Sequence, residues 1–246
     1  MEKYLVVIPY LASAAQGNEL KYALAGWRKH FKEKHKIVLV GEGLPQIDGV
    51  ICIESKRVDE IPGQYRQHLD YVNCFKKVHE MFPETTGFIM VADDCYAVND
   101  FDISEVKLLK MLEPDFSFKE DSTNAWRRDK MKTKKLLLSK HYPTHNFTTH
   151  LPQWYDWDKI EQLWDKYDML HNSYVIEDLY YNIYFKDRLP FRLNENDNLK
   201  CGVYDPKFPI DKLKQAFKSK IWITNSPVGW IPELPKSLEQ HYGKED

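Results

Sequence analysis

Four short apolar runs, set apart by amphipathic stretches, constrain this chain more than anything else in its first hundred residues. They are YLVVI at 4–8, IVLV at 37–40, VICI at 50–53 and FIMV at 88–91. Near-continuous aliphatic and β-branched runs of this length suit strands covered on both faces. Pro9 stands at the end of the first run, and Gly41 and Gly43 follow the second. Between the runs, Leu20, Leu24, Trp27 and Phe31 recur at helical spacing behind Asn18, which takes the N-cap position. After Pro62 and Gly63, the residues Leu69, Val72, Phe75, Val78 and Phe82 form a second stripe. Strand–helix alternation of this kind predicts an α/β fold with a mainly parallel sheet and helices on both faces. In such sheets ligands bind beyond the carboxyl ends of the strands.

Beyond Asp100 the pattern loosens. A short helix is expected over 104–112, ending before Pro114, and a basic stretch, WRRDKMKTKKLLLSKH, fills 126–141. The segment THNFTTHLPQWYD precedes a helix whose stripe is Ile160, Leu163, Trp164, Tyr167 and Leu170, with Asp158 and Glu161 at a capping-box spacing. VIEDLYYNIYF at 175–185 reads as a helix that opens on an acidic pair. Strands are expected near 191–193 and 221–223, followed by a proline-rich tail. No repeat or linker divides the chain, so residues 1–246 are expected to form one domain.

Composition removes several function classes. A net charge of −2 supplies no global attraction to nucleic acid or to an anionic membrane. Cys52, Cys74, Cys95 and Cys201 lie far apart without a CxxC pair, which suits reduced thiols in a cytoplasmic protein. The N-terminal apolar run is too short for a signal peptide, and no run approaches the roughly 18 residues of a membrane span. Walker A, GxGxxG, GxSxG and HExxH patterns are absent.

The last strand runs straight into Asp93 and Asp94. Adjacent carboxylates resist joint ionisation unless a cation or strong donors lie between them. Mg²⁺ or Mn²⁺ commonly takes one or two protein carboxylates and completes its shell with substrate phosphates. A solvated turn is the competing reading, and the apolar residues on both sides weigh against it. Glu177 and Asp178 gain roughly 0.3–1 kcal/mol each from the helix dipole, and a carboxylate there can also serve as a general base. Of His145 and His150, the latter, beside Leu151-Pro152, is the better candidate to contact a diphosphate or an acceptor. Arg127, Arg128, Lys130, Lys132, Lys134 and Lys135, next to Trp126, form either a solvated helix face or a phosphate-binding run.

Together, the strand–helix half ending in Ala92-Asp93-Asp94 and the later Ile176-Glu177-Asp178 resemble glycosyltransferases of the GT-A (Rossmann-like) fold over about residues 4–190. The resemblance implies a nucleotide-sugar-binding half at 1–100 and an acceptor-binding half at 101–246. It implies that Asp93 and Asp94 hold Mn²⁺ or Mg²⁺ against the diphosphate of a UDP-sugar, with Asp94 the direct ligand. It makes Asp178, or alternatively Glu177, the base of an inverting transfer of hexosyl type. Pro9, Tyr10 and Leu11 would face the nucleotide base. The implied acceptor is a glycan or a hydroxymethylated base in phage-type DNA. Trp154, Tyr155 and Trp157 are expected either as a sugar-stacking wall or as core. The chain departs from the family pattern at Ala92 and Cys95, and only His241 matches the C-terminal metal-binding histidine of some members. A nucleotidyltransferase of related fold or an inactive binding module are the competing readings, the first weakened because LASAAQGNE holds one glycine and no basic residue.

Overall fold

The structure, a computed structural model, describes residues 4–118 and 123–243. Its N-terminal half contains β1 (Tyr4–Leu11), α1 (Glu19–His30), β2 (His35–Glu42), β3 (Val50–Glu54), α2 (Arg66–Met81) and β4 (Gly87–Met90). The chain continues through β5 (Cys95–Ala97), α3 (Ile103–Lys107), β6 (Lys110–Met111), α4 (Ala125–Ser139), β7 (Gln153–Asp156) and α5 (Trp157–Lys166). It closes with α6 (Ile176–Tyr184), β8 (Phe191–Arg192), β9 (Lys200–Val203), α7 (Ile210–Ser219), β10 (Trp222–Asn225) and α8 (Glu233–Tyr242).

The main sheet has the order β3-β2-β1-β4-β7, parallel except for β7, which runs antiparallel to β4. Both faces are covered, which is why its strands are apolar throughout. On β1, Val7 packs in one layer with Val72, Phe75 and Phe88, while Val6 and Ile8 pack in the other with Leu24 and Trp27. Val6, Val7 and Ile8 are completely buried, and each contributes about 1.5–3 kcal/mol of transfer free energy. Across the second layer, Trp27 meets Phe31 and Phe101 edge-on, both at 5.1 Å.

Several expectations change in detail. Pro9 does not stop β1, which stays paired with β2 through Leu11↔Glu42. Proline has no N–H to extend the ladder to β4, and β4 stops at Met90. Asn18 takes the N-cap position of α1 without a side-chain capping bond, and the Glu19 carboxylate instead accepts from Gln16 N at 3.1 Å. The 104–112 helix ends at Lys107. The Lys110 ammonium turns back onto the carbonyls of Glu105, Val106 and Leu108 at 2.6, 3.0 and 3.0 Å, capping α3 and freeing residues 110–111 for β6. Asp158 and Glu161 form no capping box, because the N-cap of α5 is Asp156.

A second sheet, β5-β10-β9, holds the C-terminal quarter against α1. β7, β9 and the two tail helices α7 and α8 were not expected from the sequence. Among the described residues no helix is long and apolar enough to cross a membrane.

Candidate active site

The carboxyl ends of β1, β2 and β4 and the segment after β3 open onto one cleft of about 570 Å³. Pro9, Tyr10 and Leu11 line it from β1, and Asp93 and Asp94 from the end of β4. The two acids are anchored from behind. β5 begins at Cys95 and pairs with β10, and Asn225 N donates to the Asp94 carbonyl at 3.3 Å.

A third carboxylate, Glu19 at the start of α1, joins them. It is 5% exposed and accepts from Asn225 Nδ2 at 2.7 Å. Burial raises Asp93 to about 6, helped by the charge of Glu19. Burial raises Asp94 further, to about 7, with Asp93 and Glu19 adding repulsion. Burial also raises Glu19, against the hydrogen bonds from Asn225 and Gln16. Asp94 Oδ1 is buried with no hydrogen-bond partner among the described residues. Lys200 supplies an opposing charge, and burial has lowered its ammonium to about 8.

Lys56, Arg57 and Arg66 line the same cleft. Arg57 is fixed by Asp70, Nε to Oδ2 at 2.9 Å, and the other carboxylate oxygen accepts from Val58 N. Arg66 Nε is buried and unpartnered among the described residues. Tyr65, Gln67 and Tyr71, linked through the Gln67 amide at 2.7 and 2.5 Å, form a wall shared with a deeper recess. That recess, of about 150 Å³, lies behind Pro9 and is lined by His68, Trp126, Thr148, His150, Gln153 and Glu177.

The structure therefore brings Pro9, Tyr10, Asp93, Asp94, His150 and Glu177 to two adjoining cavities. His150 stands exposed at the recess in a left-handed conformation, φ 55°. The protein around it and the Lys200 charge lower its pKa, so the ring is neutral. Glu177 is half-buried there, and burial raises its carboxyl.

Asp178 is not at the recess. It is fully buried, its carboxylate accepting from Lys130 Nζ at 2.5 Å and from Phe147 N at 2.8 Å. Lys130 also donates to Asn146 Oδ1 and Thr148 Oγ1, at 2.8 and 3.2 Å. This pair joins α4 to α6 and leaves Asp178 no free face for a substrate.

The rest of the basic run is largely spent internally. Lys132 reaches Asn172 Oδ1 at 3.4 Å, Lys134 the Phe116 carbonyl at 2.5 Å and Asp115 at 2.8 Å, and Arg127 stacks over Phe118. Of the two readings open for the aromatic residues at 154–157, core packing is the one the structure has. Tyr155 and Trp157 are 0% and 2% exposed, stacked on Phe88, and Trp154 packs edge-on against Tyr4. His145 Nδ1 bonds the Pro114 carbonyl at 2.7 Å. His241 lies against His30, Nε2 to Nε2 at 3.2 Å, rather than beside the acids.

No family model and no curated protein matches the chain. Solved structures similar to it include a glycosyltransferase involved in the glycosylation of the major capsid of PBCV-1. It is 12% identical, over 97% of this chain and 98% of that one, with a TM-score of 0.44. Mouse xyloside xylosyltransferase 1 in its apo form is 10% identical, over 94% of this chain and all of that one (100%), with a TM-score of 0.46. Scores of this size leave the function to be argued from the site itself.

Proposed function

We propose that this chain is a GT-A-like glycosyltransferase that moves a sugar from a nucleotide-sugar donor, a UDP-sugar in the first instance, to an acceptor hydroxyl. The observation that carries the reading is the division of one cleft into an acidic end and a basic side, opening onto a recess of monosaccharide size. A nucleoside diphosphate suits the 570 Å³ cleft, with Tyr10 toward the base and Lys56, Arg57 and Arg66 toward the phosphates.

The acids fit a divalent cation. Asp94 Oδ1 is buried without a donor, and three carboxylates repel one another there, which is the deficit that Mn²⁺ or Mg²⁺ makes good. Such a cation commonly takes only one or two protein carboxylates and completes its shell with substrate phosphates. Asp94 and Asp93 would hold it, and bound there it would neutralise the leaving diphosphate.

The remaining work falls to the chain. Tyr65 and Tyr71 separate cleft from recess, and His150 offers a hydrogen bond to a sugar ring. Glu177 meets the sugar from the recess wall. From there a carboxylate either takes the acceptor proton or, ionised, steadies positive charge at the anomeric carbon. Direct displacement by an acceptor entering this recess inverts the anomeric centre. A glycan acceptor is favoured over DNA, because the basic run that motivated DNA is engaged within the protein.

The test is a panel of UDP- and GDP-sugars with Mn²⁺, read as released nucleoside diphosphate. Release that disappears in Asp94→Ala supports the reading. Tight nucleotide binding without release from any donor makes the chain a binding module instead.

A further inference from the structure

His68 is a buried histidine, 5% exposed, on the wall of the recess. Its Nδ1 lies 2.9 Å from Asp129 Oδ2, and Asp129 is itself 2% exposed. The same oxygen accepts from Tyr65 N at 3.1 Å, so the carboxylate is fixed. A carboxylate can only accept, so Nδ1 carries a proton, and in the neutral ring Nε2 carries the lone pair. Among the described residues nothing hydrogen-bonds to Nε2.

The two helices that build this corner act as a matched pair. On α4, Asp129 holds His68 while its neighbour Lys130 holds Asp178. Thr133 Oγ1 donates to the Asp129 carbonyl at 2.8 Å and accepts from Val175 N at 3.0 Å, which ties the start of α6 to the same turn. Glu177 and His68 thereby line the recess together, with the Tyr71 phenol of α2 beside them. An Asp–His couple on the wall of a substrate cavity is the arrangement of a general base and its orienting acid.

We propose that His68, oriented by Asp129, is the group that takes the proton from the attacking hydroxyl, with Glu177 stabilising positive charge beside it. The inference rests on glycosyl transfer being the reaction. As the acceptor oxygen bonds the anomeric carbon, its O–H bond breaks and the proton passes to Nε2. The bond from that carbon to the diphosphate oxygen breaks, and its electron pair leaves on the phosphate. The imidazolium so formed lies between the charges of Asp129 and Glu177. His68 and Asp129 are catalytic and positioning residues respectively.

The experiment follows nucleoside diphosphate release from the donor panel, with water as acceptor, and titrates UDP by calorimetry. In His68→Gln, turnover should fall at least about 100-fold while UDP affinity changes less than about twofold. In Asp129→Asn, the amide oxygen can still accept from both donors but the charge is gone. The imidazolium is then easier to deprotonate, so the acidic limb of the rate profile moves to lower pH. Other charged or titratable groups facing His68 are Lys130 on α4, Glu177 and Asp178 on α6, Tyr65 and Tyr71 beside and on α2, and His150. Glu177→Gln should therefore lower the rate and move the limb in the same direction, with the further shift from Asp129→Asn still present in the double variant. If His68→Gln does not fold by circular dichroism, the Asp129→Asn profile decides. His68→Gln turnover within threefold of wild type, or an unmoved limb in Asp129→Asn, overturns the role of His68 and leaves glycosyl transfer standing. Wild-type protein that binds UDP and releases it from no donor overturns both.

Discussion

Replacing Asp94 with asparagine should make the unliganded protein more stable while removing its activity. In the fold, burial and the neighbouring charges of Asp93 and Glu19 raise Asp94 from 3.8 to about 7. At about 1.4 kcal/mol per pKa unit, keeping Asp94 ionised in the folded state at pH 8 costs about 4 kcal/mol. Part of that cost belongs to the shared repulsion, so Asp94→Asn should recover about 2–4 kcal/mol at pH 8. The pH dependence follows from the direction of the shift. The folded pKa lies above the unfolded value near 3.9, so between roughly pH 4 and 7 the folded state holds a proton that the unfolded state has lost. Wild-type stability therefore falls as pH rises through that window and levels off above it. From pH 5 to pH 8 this group alone accounts for a loss of about 3 kcal/mol, and Asp94→Asn should lack it. Urea unfolding at pH 5 and pH 8, followed by circular dichroism, measures both quantities. With Mn²⁺ and UDP present, wild type at pH 8 should gain stability that the variant does not. A variant no more stable than wild type at pH 8, or a wild-type protein equally stable at the two pH values, would refute the argument.

Two other substitutions probe the frame and the basic side of the cleft. Lys130→Met should destabilise by about 3–5 kcal/mol because it strands the Asp178 charge, whereas Lys130→Met with Asp178→Leu should recover much of the loss; a double-mutant cycle by urea unfolding measures the coupling. Arg66→Ala should weaken UDP binding about tenfold and flatten its salt dependence, since a charge-assisted hydrogen bond is worth about 1.5–3 kcal/mol; calorimetry at two ionic strengths measures it.

What the sequence made legible is what local chemistry determines. The parallel core reads out because strands buried on both faces must be apolar throughout, and α1 and α2 because one face of each must meet that sheet. Asp93 and Asp94 were conspicuous because two like charges end an apolar run. Glu19 was not, since an acid in the first turn of a helix already has a local explanation. Its place beside Asp94 depends on Asn225, 206 residues away in sequence. Asp178 shows the same limit from the other side. Only the ion pair to Lys130, 48 residues distant, separates its role from that of Glu177. β7 leaves no clear mark in the sequence because its pairing with β4 is long-range and antiparallel, and its aromatic residues answer equally to a core or to a binding wall. Lys56, Arg57 and Arg66 sit among Asp59, Glu60 and Asp70, so no charge run marks them.

The hold of Asn225 on the acids has a consequence for how the protein is made. Its amide reaches Glu19, its carbonyl oxygen takes the Tyr96 hydroxyl at 2.6 Å, and its backbone N–H anchors Asp94. A nascent chain can order its first four strands soon after they leave the ribosome, since domains tend to gain structure from the N-terminus. The three carboxylates acquire their fixed register only when β10 arrives, closing a loop of about two hundred residues whose entropic cost grows slowly with length. Until then they remain hydrated, and water screens the repulsion among them. Assembly of the least comfortable charges is thereby deferred until β10 is made, after the core able to hold them is in place. Ribosome-bound chains arrested before β10 has emerged should accordingly show protease-resistant structure without UDP binding, and binding by such chains would rule this order out.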